Sequence, residues 1–200
     1  MARRSDHSRE ELATLVIDAA REITAKQGWR DVTMRKIAER IGYAPGSIYN
    51  AVGDIDEVLL RVNAATLEGL GERLGTALRR GRGRGDAAKL ALVLADEYVA
   101  YVIAHARLWA ALLEHPPAPD KVAPDWYLRA RNGLFDLVAS VIAPLFPDGA
   151  ARSCAVVSLW AALQGVASLA IGGNLALAAG ELKPRDIARS IVARYLTGHE

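Results

Sequence analysis

The chain lacks most of the features that mark other protein classes. It has one cysteine in 200 residues, Cys154. No intrachain disulfide is open to it, and no Cys/His cluster has metal-ligand spacing. Cys154 lies in an apolar run and is expected to be a small buried hydrophobe, as suits a reducing cytoplasm. Aromatic residues are only 6% of a chain that is 52% hydrophobic, so the core is aliphatic and alanine-rich. Period-two alternation and β-branched runs are scarce, which argues against sheets. A net charge of +2 is too small for bulk attraction to nucleic acid. The start, MARRSDHSREE, is polar with no apolar stretch after it, so no secretory signal is expected. There is no nucleophile elbow, P-loop, dinucleotide fingerprint or His-Glu-x-x-His. Glu114-His115 and Asp120 fit no standard acid–base or metal spacing and read as a proline-rich surface loop. No catalytic residue, metal or cofactor is expected.

What is present is helix, and the expected fold class is all-α with about nine helices. Ser8 and Glu11 make a capping box. Leu12, Val16, Ala19 and Ile23 follow as one apolar stripe, and Gly28 closes the helix. Thr33 caps a second helix ending near Gly42. A third spans Ala44–Asn50, with Pro45 in its first turn. Asp54 caps a fourth that runs to about Arg80. There RRGRGRG breaks it; the tract is similar to Arg/Gly RNA-binding segments but reads as a solvated loop. Further helices are expected over Asp86–His105, Ala106–His115 (as a continuation or a new helix), Trp126–Ala143, Ala150–Ile171 and Pro184–Thr197. The uncharged run Cys154–Gly180 is long enough to span a bilayer. Its Ser158, Gln164, Ser168 and Asn174, and the Gly172-Gly173 break, favour instead a helix buried on most faces, against its own subunit and a second one. No membrane association is expected.

Helices of six to eight residues are unstable in isolation, yet residues 37–59 (IAERIGYAPGSIYNAVGDIDEVL) hold three in quick succession. A helix-turn-helix explains them. The second and third helices flank a tight turn at Gly42, and the first packs across both. Such a unit presents a helix end to the DNA major groove. Charge placement matters more than its sum, since residues 1–50 hold nine Lys/Arg against seven Asp/Glu. Ala44, Gly46 and Ser47 are small enough for close backbone approach; Ser47 and Tyr49 carry hydroxyls. Thr33 and Arg35 sit where a phosphate can be clamped. Arg3 and Arg4 form a basic arm for the backbone or minor groove. Tyr43, Pro45 and Asn50 complete the candidate DNA-binding set. A helix-turn-helix-shaped interaction protein that no longer binds DNA is the alternative.

GWRDVTMRKIAERIGYAPGSIYNAVGDIDEVLL places residues 8–60 in resemblance to the DNA-binding domain of the TetR family of bacterial transcriptional regulators. LWAALQGVASLAIGG is similar to the C-terminal domain of a branch named for a Trp-His-Gly signature, with Gln164 where histidine is frequent. The resemblance implies a DNA-binding domain over 8–53 and a ligand-binding and dimerisation domain over 54–200. It implies double-stranded operator DNA and a small-molecule effector as partners. It also implies a homodimer through Ala150–Ile171 and Pro184–Thr197, and repression as the mode of action. Many members carry a lysine at the start of helix four that faces a phosphate; here that position is Ile55, flanked by Asp54 and Asp56. Tyr98, Tyr101, His105, Trp109, Trp126, Trp160 and Gln164 are candidate effector-site residues, being aromatic or polar on largely apolar helices. For His105 and Gln164 a core hydrogen bond is the competing explanation.

Overall fold

The computed structural model describes residues 7–81, 86–117 and 122–198. Arg3, Arg4, Asp120 and the 82–85 portion of the arginine-glycine tract lie outside the described residues. Ten α-helices and one 3-10 turn are present among them, with no strand. The chain divides into two compact units. One takes the chain to Thr66 together with Arg107–Arg129; the other takes Leu67–Ala106 with the chain from Ala130 onward. The fourth helix, Ile55–Gly81, contributes to both.

In the first unit, α1 (Arg9–Gln27), α2 (Met34–Ile41) and α3 (Pro45–Val52) form the predicted three-helix head. The capping box at the start of α1 is closed. Glu11 N–H donates to Ser8 Oγ at 3.2 Å and Ser8 N–H to Glu11 Oε2 at 2.6 Å, which holds the Glu11 carboxyl below its usual range. Val16, Ile23, Ile37, Ile48 and Val52 meet in one buried cluster with Val58 and Val62 of α4 (Ile55–Gly81). Each such side chain contributes about 1.5–3 kcal/mol on burial. Two eight-residue helices thus persist that would melt alone. Gly42 ends α2 at φ 75°, ψ 27°, the left-handed turn that glycine adopts without a Cβ penalty.

Gly53 is more constrained. Its φ of 80° and ψ of −138° are open to glycine, and an added Cβ would lie 2.7 Å from Glu57 Oε2. Gly53→Ala is expected to lower stability by about 1–3 kcal/mol in urea denaturation; an unchanged midpoint would contradict that strain.

The first unit also recruits α6 (Ala106–Glu114), which is a separate helix and not an extension of α5 (Ala87–Ala104). His105 caps α5 and departs from helical geometry. Leu108 enters the head's core. Arg107 donates to the Lys26 carbonyl, and Trp29 Nε1 to Glu114 Oε2 at 3.2 Å. The fully buried Asn63 donates to the carbonyls of Ala111 and His115 at 3.4 and 3.0 Å, serving the end of α6.

In the second unit, α5 packs against α8 (Gly149–Ile171) and α10 (Pro184–Thr197), and α8 against α10. α7 (Asp125–Ile142) contributes Leu134 and Ile142 to its core. A short α9 (Asn174–Ala179) lies between Gly173 and Gly180, both at positive φ. Asp96 ties α5 to α10, accepting from Arg185 at 2.6 Å and Arg189 at 2.8 Å.

One expectation is corrected here. Cys154 is exposed, not buried. It lies on the side of α8 that this chain does not cover, and only 33% of the most apolar part of α8 is buried. The ten helices among the described residues agree with the expected number of about nine, the extra one being α9, too short to show a stripe.

Candidate nucleic-acid interface and ligand cavity

The head buries one side of α3 and presents the other. Ile48 and Val52 face the core, while Ala44, Pro45, Gly46, Tyr49 and Asn50 are exposed, Tyr49 at 53%. Ser47 is half-buried, and its N–H donates to the Ala44 carbonyl at 3.0 Å. Tyr43 is half-buried beside the turn, its hydroxyl sharing a 2.6 Å hydrogen bond with His7 Nδ1. An added Cβ on Gly46 would meet nothing within 4 Å, and its φ is not positive. The fold therefore does not require glycine at 46.

Thr33 is the N-cap of α2. Its hydroxyl oxygen accepts from Lys36 N–H at 3.2 Å while its own hydrogen can still donate. The cations of α2 are all paired within this unit: Arg35 with Glu39 at 3.2 Å, Lys36 with Asp31 at 2.6 Å, and Arg40 with Glu22. Arg40 holds the Glu22 carboxyl below its usual range. Such exposed pairs contribute about 0–1 kcal/mol, so a phosphate can displace the carboxylate. Ile55 is half-buried and packs on the head's core. Asp54 is engaged as the α4 cap, accepting from Glu57 N–H at 2.8 Å, and Asp56 lies 3.5 Å from His115 Nε2.

The second unit contains an apolar cavity of about 60 Å³. Its walls come from α5 (Leu94, Ala95, Tyr98), α7 (Leu134, Phe135, Val138) and α8 (Leu159, Trp160, Leu163), closed by Leu74 of α4 and Val192 of α10. No lining side chain is charged. Tyr98 and Trp160 line it directly. Gln164 stands behind them, its Oε1 accepting from the Tyr98 hydroxyl at 2.8 Å and its Nε2 donating to Ser168 Oγ at 2.8 Å. Burial pushes the Tyr98 phenol well above its usual range, so it stays a neutral donor.

The structure thus brings together three of the seven expected effector-site residues. Tyr101 and His105 stack on each other at 4.2 Å between ring centroids, outside the lining. Trp109 is buried in α6 and Trp126 lies under the Arg61 guanidinium at 4.9 Å; both belong to the first unit. The α7 wall was not anticipated, although Leu134, Val138 and Ile142 recur every fourth residue and mark one inward face.

Residues 16–62 match the family model described as bacterial regulatory proteins, tetR family. Residues 91–195, more than half the chain, match the tetracyclin repressor-like C-terminal domain. An uncharacterized HTH-type transcriptional regulator of Mycobacterium tuberculosis is 27% identical over 158 residues, 79% of this chain and 69% of that protein. Among solved structures, a protein of unknown function from Rhodococcus sp. RHA1 shares the fold at a TM-score of 0.80, with 19% identity over 98% of each chain. The transcriptional regulator FadR from Bacillus subtilis, in complex with stearoyl-CoA, superimposes at 0.67, with 13% identity over 94% of this chain and 99% of its own. With a helix-turn-helix head and a helical body each matched by its own model, the chain belongs to the TetR family of transcriptional regulators.

Proposed function

We propose that the chain is a cytoplasmic, homodimeric repressor that holds double-stranded operator DNA through the presented end of α3 and releases it when a small apolar effector enters the cavity of the second unit. The observation that carries the DNA reading is the N-terminal half of α3. It is small-residued, exposed and backed by a buried face, and at Gly46 it is smaller than the fold requires. Thr33 and Arg35 supply phosphate contacts beside it.

The cavity supports the effector reading. It is smaller than the roughly 300–1,000 Å³ of occupied ligand pockets, so a ligand has to part the surrounding helices. A ligand that binds the parted state better shifts the protein toward it and changes the spacing of the two heads. The stearoyl-CoA bound by the Bacillus subtilis regulator makes a lipophilic effector the natural class to test.

The dimer reading rests on α8. Cys154, Val157, Ala161, Gly165 and Leu169 form an outward stripe of small and apolar residues, exposed and uncharged. Such a patch calls for a partner surface. α8 is also the one helix, among the described residues, long and apolar enough to cross a membrane; packing on α5 and α10 and pairing with a second copy account for that character.

The test is gel retardation with DNA from immediately upstream of the gene, in the presence of competitor DNA. The wild type is expected to give a specific band that Ser47→Ala/Tyr49→Ala loses. Absence of any specific band with that fragment and with random-sequence selection would favour the interaction-protein alternative.

The same assay across a salt series reads Ile55. Introducing Ile55→Lys is expected to steepen the slope of log K against log salt by about one, the value of one added phosphate contact. An unchanged slope would show that this position does not face the backbone.

A further inference from the structure

Of the side chains lining the cavity only Tyr98 and Trp160 carry polar atoms, and both are neutral. The Trp160 side chain hydrogen-bonds the Tyr98 hydroxyl, which donates onward to Gln164, and Gln164 to the exposed Ser168. Phe135, Val138 and Trp160 are the lining residues that are not buried, so the cavity opens between α7 and α8. The rings of Phe135 and Trp160 meet edge to face across that opening, 5.9 Å between centroids. The polar chain and the mouth are therefore at the same place.

Several arginines elsewhere in this unit are already held. Arg73 is bound by Glu97 at 2.5 Å, Arg185 and Arg189 by Asp96, and Arg152 by the carbonyls of Phe146 and Pro147. Arg131, one turn before Phe135 on α7, has a neutral side-chain partner, the Asn132 carbonyl oxygen at 3.2 Å, as Arg79 has in Thr76 Oγ1 at 2.8 Å. Arg131 is exposed and does not line the cavity.

We propose that the part of the effector entering this cavity is uncharged: an aliphatic body with a single neutral oxygen, of an alcohol, ester, ketone or thioester, lying against Tyr98 and Trp160. The proposal rests on the reading of the cavity as the effector site. A neutral oxygen can exchange for one of the internal hydrogen bonds of the Tyr98–Gln164–Ser168 chain at little net cost. A carboxylate cannot, because it would lose water without gaining a cation. The apolar body supplies the affinity through burial against Leu94, Leu159 and Leu163.

The shared chemistry has two sources, a free neutral lipid or the acyl end of a thioester whose larger portion stays outside. Isothermal titration of the full-length protein with decanol, decanoate and decanoyl-CoA at neutral pH separates them. Decanol, decanoyl-CoA or both are expected to bind, with decanoate at least about tenfold weaker than the better of the two. Binding of decanol alone points to a free lipid, and of decanoyl-CoA alone to a thioester. Tyr98→Phe is expected to weaken the neutral probe several-fold and to narrow its advantage over decanoate. Decanoate binding as tightly as the neutral probes would overturn the proposal, and loss of that binding in Arg131→Gln would place the carboxylate at the mouth. If none of the three binds, the cavity is not the effector site, and the effector part of the proposed function falls with this inference while the DNA reading stands.

Discussion

Val157→Glu together with Leu169→Glu is expected to turn a dimer into a monomer in light scattering and to weaken operator retention by about 10²–10⁴-fold. The two residues are 52% and 47% exposed on α8, three turns apart on the same outward stripe. Neither belongs to the buried core of the second unit, so the helical spectrum of the monomer should be close to that of the wild type. In a symmetric dimer each substituted position would be buried against a second copy of the same surface. Four carboxylates would then lose their water with no cation to receive them. The loss of DNA binding follows indirectly. Two heads on one body convert the second half-site contact into an intramolecular event, and separate heads forfeit that gain. A double variant that stays dimeric would remove α8 as the interface. A monomer that still binds its operator at wild-type strength would mean that one head is enough.

The head was the most legible part of the sequence, because its signals are local. Ser8 and Glu11, Thr33, Gly42, Pro45 and Asp54 each act within four residues of their own position, and each cap or turn appears where its residue type placed it. The recruitment of α6 was not legible. It depends on Asn63 reaching the carbonyls of Ala111 and His115, 48 and 52 residues away, and on Trp29 reaching Glu114. Nothing in either local pattern names the other.

The cavity was legible by half. A histidine and a glutamine on apolar helices advertise a need for partners; Gln164 finds Tyr98 beside the cavity, while His105 packs on Tyr101 outside its lining. Trp109 and Trp126, candidates as aromatics on apolar helices, belong to the other unit, since an aromatic side chain marks burial without saying against what. Cys154 misled for a related reason. An apolar stretch predicts burial, and this chain alone does not provide it.

Gly46→Ala is expected to move stability and DNA binding in opposite directions. Glycine in a helix costs about 0.5–1 kcal/mol relative to alanine, and the methyl group added at 46 would meet open space within 4 Å. Residue 46 has no positive φ to strain. In chemical denaturation the variant should therefore be equal to the wild type or more stable, by at most about 1 kcal/mol. In the major groove the same methyl group would stand between the helix backbone and the DNA. A backbone approach short enough to exclude a Cβ would be pushed outward, loosening the neighbouring Ser47 and Tyr49 contacts as well. Loss of one such contact is about 1–3 kcal/mol, so operator affinity should fall about tenfold or more. Full affinity in Gly46→Ala would mean that the start of α3 does not approach DNA closely, and the recognition surface would have to lie further along, at Tyr49 and Asn50. A fall in both stability and affinity would point to a packing role for Gly46 that its open surroundings do not provide.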